Sequence, residues 1–256
     1  MNATFKALIE RPEPVLCIDV GNSRTKACLY ADGHLIAEER DFNPALARVW
    51  QTDYQPYGVI IGSVGGEPEP YLDAYMAVTD VVVASSSLAL PFENHYLSNR
   101  LGVDRLAGVC GAILHSRQAP ILALDAGTCL TYDLLVPDDS GHFAYLGGAI
   151  SPGLSMRLKA LHTFTAGLPL LSPAWAAPVA GLDTEDGMLS GALNGLLFEA
   201  RGYIDHFRAQ YPNLDIILTG GAATTLGPSL DRHARLHPYL VSEGLLMLYW
   251  YQKANG

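Results

Sequence analysis

Two stretches of this chain, 106 residues apart, share one pattern: an apolar run ending in aspartate, a glycine turn, and a second apolar run. The first, Leu16 to Lys26, reads LCIDVGNSRTK; the second, from Leu122, reads LALDAGTCLTYDLL. Placing Asp19 on Asp125 puts Gly21 on Gly127 and Ser23 near Thr128. A strand ending in a carboxylate suits a metal-bound phosphate when the following turn has a glycine for close backbone approach and small hydrogen-bonding side chains. Taken singly, each turn reads equally as a β-turn whose aspartate bonds its own backbone. Their recurrence predicts an α/β duplication, two related halves facing one another across a nucleotide.

The order of elements repeats in the same way. Strands are predicted at Val15–Val20, Thr25–Tyr30 and, after an Asp32-Gly33 hairpin turn, His34–Arg40. A helix capped by Asn43-Pro44 follows to about Trp50, then a strand at Gly58–Val64, a short helix at Pro70–Ala77 and a strand at Val81–Ala84. Pro91–Arg100 reads as polar and irregular, and Leu101–His115 as a helix. The second half gives strands at Ile121–Asp125, Thr128–Val136 and Phe143–Ile150. Next comes a helix opened by Ser151-Pro152-Gly153 and running to about His162, with Pro152 in its first turn. A Pro- and Ala-rich loop over Leu168–Leu182 leads to a long helix from Thr184 to about Tyr211, a strand at Ile216–Leu218 and a last helix at Ser242–Lys253. The halves divide as residues 1–117, with the first phosphate turn and a GVDR stretch, and 118–256, with the second turn and a TGG stretch.

Composition narrows the partners. The formal net charge is -10 and no basic run is present, which argues against nucleic acid. An acidic chain that binds a nucleotide needs local cations, because its overall field repels the ligand. No apolar stretch approaches the roughly 20 residues of a membrane span. Charges interrupt the N-terminal MNATFKALIERPEP, so it does not read as a secretory signal. Cys17, Cys28, Cys110 and Cys129 lack metal-type spacing and read as buried free thiols of a cytoplasmic protein, with Cys17 and Cys28 flanking the first turn. The eight histidines form no ligand pattern; His162, His206 and His233 read as structural or surface residues.

Chemistry is assigned by residue type. Asp19 could hold Mg²⁺ directly or through water, while Asn22, Ser23 and Lys26 could donate to phosphate oxygens. Gly127 and Thr128 could bond a phosphate oxygen, and Asp125 could hold a cation. In Gly102-Val103-Asp104-Arg105, the guanidinium suits a carboxylate substrate and Asp104 could accept a proton from an attacking hydroxyl. The same four residues also read as a helix start with a dipole-stabilised aspartate and a solvated arginine. Gly147-Gly148-x-Ile150-x-Pro152-Gly153 could turn amides toward an anion or simply join strand to helix. Gly220 and Gly221 after a strand would let an adenine or ribose lie on the backbone, or make an ordinary turn. Ser63 in GSVGG lacks the nucleophile-elbow pattern.

DVGNSRTK, GVDR, DAGT, GGAISPG and TGG, in this order over nearly the whole chain, resemble the type III pantothenate kinases, of the acetate and sugar kinase, Hsp70 and actin superfamily. The run YLGGAISPGLSMRLKALHTFTAGLPLL is also similar to this family. The resemblance implies duplicated ribonuclease H-like domains with a nucleotide cleft between them, and ATP-dependent phosphorylation of pantothenate, the first step of coenzyme A synthesis. It implies that Asp19, Val20, Gly21, Asn22, Ser23, Arg24, Thr25 and Lys26 form the first ATP-phosphate motif, Asp125 to Thr128 the second, and Gly220 and Gly221 the adenosine motif. Asp104 would be the catalytic base within a pantothenate motif of Gly102, Val103, Asp104 and Arg105. Tyr96 would contact pantothenate, Asp125 would hold a monovalent cation (K⁺ or NH₄⁺), and Thr184 would complete the pantothenate pocket of a homodimer. YLSNRLG is shorter than the family's usual link between that tyrosine and the pantothenate motif. Two other readings are a kinase of this fold acting on another small hydroxyl compound and a non-catalytic transcriptional accessory factor; the retention of Asp19, Asp104 and Asp125 favours catalysis.

Overall fold

The apolar run VLCIDV forms strand β1 (Val15–Val20), in which every residue except Asp19 is buried. This computed structural model describes residues 3–98 and 101–255. Asn99 and Arg100, in the YLSNRLG link, lie outside the described residues. A short helix, α1 (Ala3–Ile9), precedes β1, and the antiparallel strands β2 (Thr25–Ala31) and β3 (His34–Glu39) follow it. The hairpin between β2 and β3 turns on Asp32 at φ 51° and Gly33 at φ 71°, the left-handed pair that matches the twist of the flanking strands. Cys17 and Cys28 lie directly opposite one another in the β1–β2 ladder.

Beyond β1 the sheet continues in parallel through β4 (Gly58–Ser63) and β5 (Asp80–Val83), giving the order β3-β2-β1-β4-β5. Helix α2 (Pro44–Tyr54) starts where the Asn43 side chain accepts from the Ala45 and Leu46 amides at 3.0 and 3.1 Å, a cap whose loss typically costs about 1 kcal/mol. With α3 (Glu69–Tyr75), it covers one face of the sheet. Phe42, Ala47, Tyr71 and Tyr75 bury Leu16, Ile18, Val20, Leu29, Val59 and Ile61 there. Then come the two-residue strand β6 (Glu93–Asn94) and helix α4 (Val103–Leu114).

The second half runs β7 (Ile121–Ala126), β8 (Cys129–Pro137), β9 (Phe143–Pro152), α5 (Leu154–Thr163), α6 (Thr184–Gln210), β10 (Asp215–Thr219), α7 (Ala223–Leu230), β11 (Arg235–Leu236) and α8 (Leu240–Asn255). Its strands adjoin in the order β9-β8-β7-β10-β11, which repeats β3-β2-β1-β4-β5 position for position. The parallel pairing of β1 with β4 recurs as that of β7 with β10, so Asp19 lies beside Gly62 and Asp125 beside Thr219. The duplication read from the two turns is therefore a duplication of topology.

The chain clusters into two compact units. Unit 1 holds residues 1–118, 135–147 and 239–256; unit 2 holds 119–134 and 148–238. Within unit 1, α8 packs on α4, β1 and β4, and Tyr30 and Ser242 share a buried hydrogen bond of 2.7 Å. Also in unit 1, β6 pairs in parallel with Ala144 and Tyr145 of β9.

Several expectations need correction. Pro152 is the last residue of β9, not the first turn of a helix; Gly153, in extended conformation, caps α5. Residues 223–230, for which no element is expected from sequence, form α7 with Pro228 inside it. Pro91–Arg100 is not wholly irregular, since Glu93 and Asn94 find a partner in β9. Cys17, Cys28 and Cys110 are buried, but Cys129 is only half-buried. No helix among the described residues is long and apolar enough to cross a membrane.

Candidate active site

In unit 1 the site begins where β1 ends. The ladder sets Asp19 opposite Lys26 and Val20 opposite Thr25, leaving Gly21 to Arg24 as the turn, which the Gly21 amide closes on the Arg24 carbonyl at 3.2 Å. Asn22, Ser23, Arg24 and Lys26 are exposed, and Arg24 lies 4.0 Å from the Asp41 carboxylate. The turn after β4 lies alongside: the Val64 amide donates to the Val20 carbonyl (3.1 Å), and Ser63 donates to the Gly66 carbonyl (2.5 Å). Ser63 is thus occupied in shaping a turn.

Asp19 is half-buried, and burial pushes its carboxyl up to about 6; the Lys26 ammonium opposes the rise and the Asp104 carboxylate adds to it. Two carboxylates that feel one another in a partly desolvated place fit a divalent cation, since a hard cation takes carboxylate oxygens and would offset their repulsion. Asp104 stands in the first turn of α4, half-buried, its Oδ1 accepting from the Arg105 amide at 2.8 Å.

Arg105 is not a solvated neighbour: it is 6% exposed. Its guanidinium donates to the Tyr145 hydroxyl at 2.8 Å and lies 5.7 Å from the centre of the Tyr96 ring. Tyr145 is fully buried, with its ring centre 6.1 Å from that of Tyr96. Its backbone belongs to the same assembly, because Asn94 pairs with Tyr145 and the His95 amide donates to the Tyr145 carbonyl at 3.1 Å. Unit 1 thus gathers Asp19 with Asp104, and Arg105 with Tyr96. Tyr145 opens the YLGGAISPG run, and nothing in the spacing of that run marks it as Arg105's partner.

In unit 2, Asp125 occupies the strand position of Asp19 in unit 1 and is half-buried. The Gly127 amide donates to the Cys129 carbonyl (2.9 Å), and the Thr128 carbonyl accepts from the Gly153 amide (3.1 Å). Gly127 and Thr128 are exposed. Gly220 has φ +94°, and a Cβ there would fall 2.3 Å from Asp125 Oδ1 and 2.6 Å from the Ala126 carbonyl carbon, so the Gly220-Gly221 turn is seated directly on the aspartate. Gly221 is exposed beside it. Thr184 is the exposed first residue of α6, capped by Asp183 accepting from the Asp186 amide at 2.8 Å. His162, His206 and His233 are exposed. A cluster in this unit that the sequence did not signal joins Tyr132, Ser151, Arg157 and Glu199.

Known proteins are similar to this chain in sequence and in fold. The type III pantothenate kinase family profile matches residues 15–206. Type III pantothenate kinases of Flavobacterium psychrophilum and Christiangramia forsetii are each 34% identical; the matches cover 93% and 94% of this chain and 100% and 99% of theirs. That of Phocaeicola vulgatus is 35% identical over 90% of this chain and 95% of its own. Among solved structures, a candidate N-acetylmannosamine kinase of Listeria monocytogenes gives a TM-score of 0.55 at 12% identity, covering 95% of this chain and 100% of that one. A candidate 2-dehydro-3-deoxygalactonokinase of Sinorhizobium meliloti gives 0.55 at 14%, over 94% and 99%. A protein of Campylobacter jejuni described as a candidate Baf family transcriptional activator gives 0.53 at 17%, over 94% and 100%. These likenesses identify the fold as the duplicated ribonuclease H-like fold of actin-like kinases. On the match along its length, and with the five motifs on the elements just described, the chain belongs to the type III pantothenate kinase family.

Proposed function

We propose that this chain transfers the terminal phosphoryl group of ATP to the primary hydroxyl of pantothenate, giving 4'-phosphopantothenate in the first step of coenzyme A synthesis. The observation that carries the reading is the grouping in unit 1 of the Asp19 and Asp104 carboxylates and of the buried Arg105 with Tyr96. Asp104 accepts the hydroxyl proton as the oxygen attacks. Arg105, fixed by Tyr145, holds the pantothenate carboxylate through its two-pronged donor geometry. Tyr96, Gly102 and Val103 shape the remainder of that pocket. The turn from Asp19 to Lys26 serves the phosphates, with exposed Asn22, Ser23, Arg24 and Lys26 as donors. Asp19 would hold Mg²⁺, which supplies neutralisation of charge on the transferred group.

In unit 2, Thr128 and its turn serve the phosphates, Asp125 holds K⁺ or NH₄⁺, and Gly220 and Gly221 serve the adenosine. The working form is a cytoplasmic homodimer in which Thr184, exposed at the head of α6, completes the pocket of the other subunit. The two sequence halves, 1–117 and 118–256, act as the paired actin-like domains.

The test is pantothenate-dependent ADP release with Mg²⁺ and K⁺ present, repeated with Asp104→Asn. Loss of a positioned general base lowers turnover by about 10²- to 10⁴-fold. Full turnover by the variant would remove Asp104 from the chemistry. Turnover with a sugar and none with pantothenate would replace the substrate assignment.

A further inference from the structure

Glu199, on the long helix α6, is the centre of a network that the proposed chemistry does not use. Its Oε1 accepts from the Tyr132 hydroxyl of β8 at 2.9 Å, and its Oε2 accepts from the Ser151 hydroxyl of β9 at 2.9 Å. Arg157 of α5 donates through Nη2 to Glu199 Oε2 at 2.5 Å and to Ser151 Oγ at 2.8 Å, and through Nε to the Pro152 carbonyl at 2.8 Å. All four residues belong to unit 2. The segment held in this way, Ser151 to Gly153, is the one that meets the second phosphate turn. The Gly153 amide donates to the Thr128 carbonyl at 3.1 Å, and a Cβ on Gly153 would fall 2.5 Å from that oxygen and 2.6 Å from the Gly127 carbonyl oxygen. The fit leaves no room for the segment to shift without displacing the turn.

We propose that Arg157 and Glu199 are positioning residues for the Asp125–Thr128 turn: their ion pair locks the backbone of Ser151–Gly153, and through it the placement of Thr128 against a nucleotide phosphate. The proposal rests on the reading of that turn as an ATP-phosphate motif. The pair is not a plain surface bridge. Both side chains are largely buried (20% and 27% exposed), and Arg157 uses its planar donors on three separate acceptors. Burial alone would raise the Glu199 carboxyl, but the hydrogen bonds from Arg157, Ser151 and Tyr132 outweigh it and hold the group below its ordinary value, so the pair stays charged at neutral pH. A tether to the backbone carbonyl of Pro152 acts on main-chain position, which is the quantity a phosphate turn depends on.

The experiment compares full-length wild type with Glu199→Gln, Ser151→Ala and Thr128→Val, measuring KM for ATP, KM for pantothenate, kcat and the melting temperature. Glu199→Gln keeps the size of the side chain but removes its charge, and Ser151→Ala removes one link while leaving the ion pair in place. The expected result is a rise of about tenfold in KM for ATP with Glu199→Gln, the loss of one charged hydrogen bond, and a smaller rise with Ser151→Ala. KM for pantothenate stays within about twofold in both. A purely structural role would lower the melting temperature and the active fraction without separating the two KM values, and that result overturns the proposal. So does an unchanged KM for ATP in both variants while Thr128→Val raises it. If Thr128→Val also leaves it unchanged, the assignment of the turn falls with the proposal. Ser151→Ala decides the matter if Glu199→Gln does not fold.

Discussion

Asp19 costs this protein stability in the absence of a cation, and the cost follows from its position. Its carboxyl titrates at about 6 in the folded chain, against 3.8 for the ordinary group, because burial disfavours the charge and Asp104 adds to the effect. At 1.36 kcal/mol per unit the difference is worth about 3 kcal/mol. Between 3.8 and about 6 the folded chain holds more protons than the unfolded one, so stability falls as pH rises through that window, and the whole cost is present above it. An asparagine at this position carries no charge and escapes the cost. The Asp19→Asn variant is therefore expected to exceed wild type in stability by less than about 1 kcal/mol at pH 4, by more at pH 5 and by at most about 3 kcal/mol at pH 8, in a chelator-containing buffer. Urea unfolding followed by tryptophan fluorescence measures it, since Trp50 and Trp250 lie in the same unit as Asp19. Adding Mg²⁺ stabilises wild type and not the variant, because a cation bound only by the folded carboxylate contributes by mass action. The variant also loses phosphoryl transfer. An excess stability that is absent at pH 8, or equal at pH 4 and pH 8, would refute the account of the site as a desolvated carboxylate pair.

Two further outcomes follow from single contacts. Tyr145→Phe removes the hydroxyl that accepts from buried Arg105, a bond to a charged group worth about 1.5–3 kcal/mol, and should raise KM for pantothenate at least about tenfold while leaving KM for ATP unchanged. Gly220→Ala places a methyl 2.3 Å from Asp125 Oδ1 at φ +94°, and overpacking with backbone strain should lower unfolding stability by roughly 2–4 kcal/mol and weaken ATP binding, as read by urea titration and nucleotide-dependent kinetics.

Local chemistry determined much of this protein. Apolar runs such as VLCIDV and ILALDA, short, rich in branched side chains and closed by glycine turns, read as buried strands, and Asp32-Gly33 favours a hairpin by its backbone preferences. Because a strand position is a geometric position, aligning Asp19 with Asp125 in sequence was enough to predict their equivalent places in two sheets of the same order. Asn43 and Pro44 likewise announced α2. Where competing local signals met, the sequence misled. Pro152 fits the first turn of a helix or the end of a strand equally well, and the pairing of β9 decided for the strand. Residues 223–230, for which no element is expected from sequence, form α7 around Pro228, with Ala223, Leu226 and Leu230 buried. Only the tertiary structure could settle whether Arg105 is solvated or buried, because that depends on Tyr145, forty residues away in sequence, and on Tyr96. The same holds for Arg157 and Glu199, which stand on separate helices 42 residues apart. It holds as well for residues 135–147 and 239–256, which cluster with the first 118 residues. Short-range preferences are written into neighbouring residues and can be read there. A buried ion pair or a shared core exists only once distant segments have been brought together, and no periodicity in the chain encodes which segments those are.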